Sequence, residues 1–394
     1  MNDKIYLLSN YIIINQLGGA KKKWDTLIHN GVLFPPNYVP HNIGVIYEGK
    51  EVHLDPEAEE IATLYAKYID SDYVKNKIFN KNFWNDWRKY LGPNSVIKNL
   101  ENVDFRPIYN YLIDMKEKKK NNPEEKDKKK KDEEKYSFAI VDGKEQPVGN
   151  FRIEPIGIFL GRGCNPKLGK IKKRIYPEDI IINISKGVDV PQPPPGHKWK
   201  KVIHDKTVEW LASWKDHVTG KTKYVWLGAH SDMKAKSDQN KFDLARKLKK
   251  KIKEIRKAND LALVNPNPVI RQIATALYFI DNFALRVGNE KGEDETDTIG
   301  VSSLRVEHIE LLPNNRVKLD FLGKDSVRYN RTLEVEPQIY KNLEEFMKDK
   351  EKTDQLFDLI TPNDINKYFQ KLYRINLNGQ WILILIMFSN IYFR

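Results

Sequence analysis

The chain has 394 residues, 40% of them hydrophobic, which suits two or three domains with sizeable cores and excludes a disordered chain. Its net charge of +13 and pI of about 9.3 point to a polyanionic partner, nucleic acid foremost, because clustered lysine and arginine release the counterions condensed on phosphates. The single cysteine, Cys164, excludes an internal disulfide framework and a cysteine-rich zinc site, and fits a reducing compartment.

In chain order, "IYLLSNYIII" at residues 5–14 loosely resembles a signal-peptide core, but Asp3 precedes it and Ser9 and Asn10 interrupt it, so no export is expected. Residues 22–112 mix short strands and turns with helices. Among these are a helix from about residue 56 to 68 and the aromatic, basic stretch "KNFWNDWRKYL" at 81–91, whose rings serve either a core or a contact surface. Residues 116–135, "KEKKKNNPEEKDKKKKDEEK", are almost wholly charged and read as a solvated helix or a flexible connector. Within them "KDKKKK" at 126–131 suits a nuclear-import signal or simply a wet surface.

From about residue 137 to 227, short alternating segments separated by proline and glycine, including "VPQPPPGHKW", predict a β-rich unit. In it "TVEWLASW" and "KYVWL" read as hairpin strands joined around Gly220, along which Trp210, Lys223 and Tyr224 alternate. Interleaved basic and aromatic side chains suit a phosphate-backbone contact or packing. From Ser237, "SDQNKFDLARKLKKKIKEIRK" predicts a helix with Phe242, Ala245, Leu248, Ile252 and Ile255 buried and Lys241, Lys247, Lys250 and Lys251 outside.

The next helix, in "ALYFIDNFALRVGNEK", carries Leu277, Ile280 and Ala284 on one stripe and Phe279, Phe283 and Arg286 on another, with Gly288 expected to stop it. Such a helix lies inside a domain. Arg286 in its last turn therefore either complements the helix dipole or sits at the edge of a partly dry pocket. The acidic "EKGEDETD" that follows reads as solvated rather than as a cation site. Next, "RVKLDFLGKDSVRYNRTLEV" alternates on both sides of Gly323 and predicts a hairpin with Lys324 at or near its turn.

The glycines of "FLGRGCNPKLGK" match neither the phosphate-loop spacing nor the dinucleotide fingerprint, and no zinc-ligand spacing occurs. Neither ATP, metal nor another cofactor is expected. The tail "QWILILIMFSNIYFR" has an apolar run at 381–388, well short of the roughly 20 residues needed to span a bilayer, so no membrane partner is expected.

The blocks "NFRIEPIGIFLGRG", "YPEDIIINISKG", "GHKWKKVIHDKTVEWLASW", "FALRVGNEK", "VSSLRVEHIEL" and "DFLGKDSVRY" resemble the eukaryotic nuclear type IB DNA topoisomerases and occur in that family's order. The resemblance runs from about residue 22, through "KWDTLIHNGVLFPPNYVP", to about residue 372. It implies an α+β multidomain DNA clamp with a mixed α/β N-terminal cap at 22–115, a charged helical connector at 116–135 and a β-rich DNA-binding region at 136–230. A mainly helical partial catalytic core related to the tyrosine recombinases follows at 231–373, leaving 1–21 and the apolar 374–394 unmatched. The resemblance further implies a monomeric nuclear isomerase. It would relax supercoils in double-stranded DNA through a transient 3′-phosphotyrosine, without ATP or metal.

Transferred position by position, the resemblance makes Arg286 the first catalytic arginine, whose guanidinium donates to the scissile phosphate, and Lys324 the hairpin lysine that acts as general acid. Arg162 resembles a residue near the cleavage site, with Asp325 its partner. Trp210, Lys223, Tyr224, Lys241, Arg286, Val287, Gly288, Asn289, Glu290, Lys291 and Thr298 match DNA-contact positions, and Asn366 does so in a looser alignment. Most should meet backbone, so weak sequence preference is expected.

The resemblance breaks after Tyr373. The family continues to Lys-Val-Phe-Arg with a second catalytic arginine, then to a catalytic histidine, a coiled-coil linker and the nucleophilic tyrosine of Ser-Lys-x-Asn-Tyr. None of these has a match here, and Tyr368, Tyr373 and Tyr392 lack nucleophile-like surroundings. The chain alone is expected to be inactive in cleavage, a non-enzymatic duplex-binding clamp, and to derive from a truncated or wrongly spliced gene model.

Overall fold

The structure is a computed structural model that describes residues 22–120, 133–163, 165–288 and 296–373. Most of the charged connector, most of the acidic loop and both unmatched ends lie outside these residues. Contacts divide the chain into two compact units, one of Met1–Leu160 with Gly169–Ala235, the other of Gly161–Leu168 with Lys236–Arg394.

The first unit contains, in chain order, β1 (Leu27–His29), β2 (Val45–Tyr47), β3 (Lys50–Val52), α1 (Pro56–Ala66), α2 (Lys77–Leu91), β4 (Val103–Asp104) and α3 (Arg106–Lys120). There follow β5 (Phe138–Val141), β6 (Lys144–Pro147), β7 (Gly157–Ile158), β8 (Ile171–Lys172), β9 (Ile181–Asn183), β10 (Lys201–Ile203), β11 (Trp210–Lys215) and β12 (Thr222–Trp226). These strands form four small sheets, ordered β1-β5-β6, β3-β2-β4, β7-β8 and β10-β9-β11-β12.

Proline at its first position and Glu57 and Glu59 in its first turn start α1 where expected. In α2, Asn76 caps the first turn by accepting from the Ile78 and Phe79 amides, and Phe79, Phe83 and Trp87 recur every fourth residue with no exposed surface. These rings are core, not contact surface. Each such side chain contributes on the order of 1.5–3 kcal/mol by leaving water. A second core, with Trp24, Ile180, Ile182, Leu211 and Trp214, lies under the β-rich segment.

The hairpin expected around Gly220 is β11–β12, with Ser213 opposite Tyr224 and Trp214 opposite Lys223. Asp216 shapes its turn by accepting from the amides of Val218 and Thr219 and from the Thr219 hydroxyl, and Gly220 takes a φ of 68° there.

The second unit is built on α4 (Asp232–Ala262), whose first turn falls in the first unit, followed by α5 (Pro268–Phe283), α6 (Pro337–Met347) and α7 (Pro362–Tyr373). Between α5 and α6 run β13 (Ile309–Leu312), β14 (Arg316–Leu322) and β15 (Arg328–Glu334), an antiparallel three-stranded sheet. Ala245, Leu248 and Ile255 of α4 are buried as the 3.6-residue period requires, with Ile252 packed at the margin. Phe242 is not: it is 52% exposed. This corrects the sequence reading, because the packed stretch of α4 begins with Leu244 and Ala245, beyond the first apolar residue of the stripe.

Buried amides finish the fold of this unit. Asn342 of α6 donates to the Leu263 carbonyl and to the Thr275 hydroxyl, at 3.0 and 3.1 Å, fixing α6 against α5 and the end of α4. Among the described residues no helix is long and apolar enough to cross a membrane.

Candidate nucleic-acid interface

The local pattern around Arg286 is not helical. The helix α5 stops at Phe283, with Ala284 in the left-handed conformation (φ 54°, ψ 29°) as its C-cap. Beyond it Leu285 and Val287 are buried while Arg286 between them is exposed, an extended alternation. The Arg286 carbonyl accepts from the Val301 amide at 2.8 Å and the Val287 carbonyl from the Ser302 amide at 2.7 Å, so the segment is pinned to residues 300–302. The expected helical last turn at Arg286, with Gly288 as its stop, is therefore corrected. These partner amides recruit the backbone before another helical turn can form, and the guanidinium stands in the open rather than at the edge of a dry pocket.

Two glycines set this geometry. Gly288 has a φ of 87°, and a Cβ there would come within 2.8 Å of the Gly300 Cα; a Cβ on Gly300 would overlap Gly288 in turn. Just before them, the Ile299 amide donates to the Leu322 carbonyl at 2.7 Å, at the end of β14. The segment bearing Arg286 is thus tied through residues 299–302 to the hairpin that bears Lys324.

That hairpin has the register the alternation demanded, from Arg316 opposite Glu334 to Leu322 opposite Arg328. Its turn holds Lys324, then Asp325 and Ser326 with φ of 65° and 60°. One open cleft is lined by Arg286, Gly300, Lys324, Asp325, Arg328 and Tyr329 among others. Arg328 is held by Asp320 through two hydrogen bonds of 2.7 and 2.8 Å, which keep the carboxyl of Asp320 below its usual pKa. Among the described residues Arg286 and Lys324 have no carboxylate partner, so their charge is available to an anion entering the cleft.

A short segment, Gly161–Leu168, packs onto the same turn. Arg162 makes an ion pair with Asp325, its carbonyl accepts from the Thr296 hydroxyl at 3.0 Å, and Gly163 lies so close to Ser326 that an added Cβ would sit 2.6 Å from its Oγ. Thr298 sits between Asp297, which Arg305 grips with both terminal nitrogens, and Ile299 at the base of the hairpin. Asn366 lies on α7 with its side-chain oxygen buried and without a hydrogen-bond partner among the described residues, outside the cleft lining; Lys241 lies on α4, 3.1 Å from Asp238. Asn289, Glu290 and Lys291 lie outside the described residues.

In the first unit, Tyr224 meets Trp210 and Trp226 at ring-centroid distances of 5.7 and 5.2 Å, on a face where Tyr224 and Trp226 are exposed. Lys223, its neighbour on β12, points to the opposite face and meets Glu154. The basic and aromatic groups therefore do not share one surface as a single interleaved patch.

Comparison with known proteins accounts for nearly all of the described chain. The family model "Eukaryotic DNA topoisomerase I, DNA binding fragment" matches residues 22–227, and "Eukaryotic DNA topoisomerase I, catalytic core" matches residues 230–377. The chain belongs to the eukaryotic DNA topoisomerase I family. It is 49% identical over 362 residues to DNA topoisomerase 1 beta of Arabidopsis thaliana, covering 90% of this chain and 40% of that protein. It is 49% identical to DNA topoisomerase 1 of Schizosaccharomyces pombe, covering 89% of this chain and 44% of that protein. Against DNA topoisomerase 1 of Homo sapiens it is 46% identical, covering 89% of this chain and 48% of that protein. The chain thus spans less than half the length of these relatives.

For this member of the topoisomerase I family, sequence reading missed Arg328 and Tyr329 in the cleft. Tyr329 is half-buried, stacked on Phe321 at 5.2 Å, and burial raises the pKa of its hydroxyl. The signal was available: in "DSVRYN" the strand alternation resumes directly after the turn, so one of each successive pair must face the Lys324 side.

Proposed function

We propose that this chain binds duplex DNA through the phosphate backbone, and that in the whole protein the cleft holds the scissile phosphate during relaxation of supercoils by transient single-strand cleavage through a 3′-phosphotyrosine. The observation that carries this reading is the presence of Arg286 and Lys324, two cations without carboxylate partners among the described residues, on the wall of one cleft. Phosphoryl transfer to a tyrosine needs donors at the nonbridging oxygens and an acid at the departing 5′ oxygen. A guanidinium supplies two parallel donors in a fixed plane, which suits Arg286 to the first task. An ammonium on a flexible stem at a hairpin turn suits Lys324 to the second. Neither task calls on ATP or a metal, and the expected setting is the nucleus, with the protein acting as a monomer.

The residues of this chain offer two of the five catalytic groups. Groups in such a site act together, so lack of the nucleophile abolishes cleavage rather than slowing it. By itself the chain is therefore read as a duplex-binding clamp. The test is incubation of the purified chain with supercoiled plasmid, chelator and no ATP. The expected result is salt-sensitive retention of plasmid without relaxation. Relaxation would show that the chain carries its own nucleophile, and absence of retention at low salt would overturn the DNA-binding reading.

A further inference from the structure

We infer that Glu154 restrains a two-lysine grip on the phosphate backbone, holding Lys172 and Lys223 until DNA displaces it; this rests on the reading of the chain as a duplex-DNA binder. The Lys223 ammonium lies 3.1 Å from Glu154 Oε1 and the Lys172 ammonium 3.4 Å from Oε2, so the carboxylate is shared by lysines from two different sheets. All three side chains keep contact with water, at 28–38% exposure, so a phosphate can reach them. The nearby carboxylate, Asp216, is committed to the β11–β12 turn through three hydrogen bonds, yet its charge is felt by both lysines. The four charges cancel. While Glu154 holds both ammonium groups, neither offers its full charge to an entering anion.

Ion pairs that stay in contact with water, as these partly exposed ones do, contribute little to stability, which makes Glu154 a poor structural staple. The same weakness makes the pairs exchangeable. A phosphate oxygen can take either ammonium from Glu154, and the freed carboxylate then gathers a cation from solution, offsetting part of the counterion release that drives DNA binding. Glu154 thereby weakens the grip and flattens its salt dependence, which favours a protein that must let go of DNA.

The experiment measures affinity of the purified chain for a labelled linear duplex across a potassium chloride series. Glu154→Gln is expected to bind roughly three- to tenfold more tightly at low salt, the effect of releasing one or two exposed pairs. Its log–log salt slope should steepen by about 0.9, one further phosphate neutralised. Glu154→Asp, which retains the charge but shortens its reach, should fall between the two and covers the case in which Glu154→Gln does not fold. With Lys172→Gln and Lys223→Gln both present, Glu154→Gln should add nothing; a persisting gain would mean that the carboxylate simply repels DNA and would overturn the inference. Wild-type binding with Glu154→Gln unchanged or weaker would overturn the inference alone, whereas no duplex binding by any variant would overturn the DNA reading on which it rests.

Discussion

Gly288 and Gly300 press backbone against backbone, and this contact, with the hydrogen bond that the Val301 amide donates to the Arg286 carbonyl, sets the exposed guanidinium on the wall that Lys324 shares. Gly300→Ala is expected to lose roughly 1–3 kcal/mol of stability, the cost of forcing a methyl into filled space. Gly288→Ala adds left-handed strain to the same clash and should lose more. Denaturant melts of the two variants measure this, and an unchanged midpoint for Gly300→Ala would show that the two segments can part without loss.

If Arg286 and Lys324 meet backbone phosphate, neutralising either weakens duplex binding about equally across DNA sequences and flattens the salt slope by about one. Arg286→Gln and Lys324→Gln are the variants to compare. Both side chains are exposed, so melting temperatures should stay within a degree or two of the parent. A slope indistinguishable from the parent in both variants would remove these residues from the interface.

The turn that carries Lys324 can be tested separately from its charge. Asp325 is left-handed (φ 65°) and pairs with Arg162. Asp325→Asn removes the pair but keeps a residue that tolerates this backbone, and should cost no more than about 1 kcal/mol because the pair is exposed. Asp325→Val should cost a further 1–2 kcal/mol or so, since β-branching opposes a positive φ. Equal melts for the two variants would mean that the turn relaxes to another shape.

A buried histidine predicts the pH dependence of the first unit. His29 is 5% exposed, its Nε2 lies 2.9 Å from the Asn183 carbonyl and its Nδ1 accepts from the Gly31 amide, so one neutral tautomer satisfies both nitrogens. Burial lowers its pKa from 6.5 to about 4. The unfolded chain therefore binds the extra proton first. Stability from this group is fully present above pH 6.5 and is lost as pH falls toward 4, by roughly 3 kcal/mol in all. Unfolding free energy measured from pH 7.5 to 4.5 should decline in the wild type and decline less in His29→Gln. Parallel curves would assign the acid sensitivity elsewhere.

The sequence by itself determined what consecutive residues can write. The spacing of Phe79, Phe83 and Trp87 places three rings on one side of a helix because side chains four apart share a face, though only the structure shows that face to be core rather than contact surface. The alternation on both sides of Gly323 specifies the β14–β15 register because a one-residue slip would turn Val317 and Leu319 out of the core. The family, and through it the choice of Arg286 and Lys324 as residues of interest, was likewise legible in ordered motifs. Tertiary structure alone decided where α5 ends, which way Arg286 faces, why Phe242 is left in water and which carboxylate Lys223 meets. Each of these depends on partners far along the chain: the amides of Val301 and Ser302 for Arg286 and Val287, and Glu154 for a lysine 69 residues away. Periodicity describes the face an element offers. It carries no record of the distant backbone that will claim its hydrogen bonds, and at Arg286 that claim outweighed the helix.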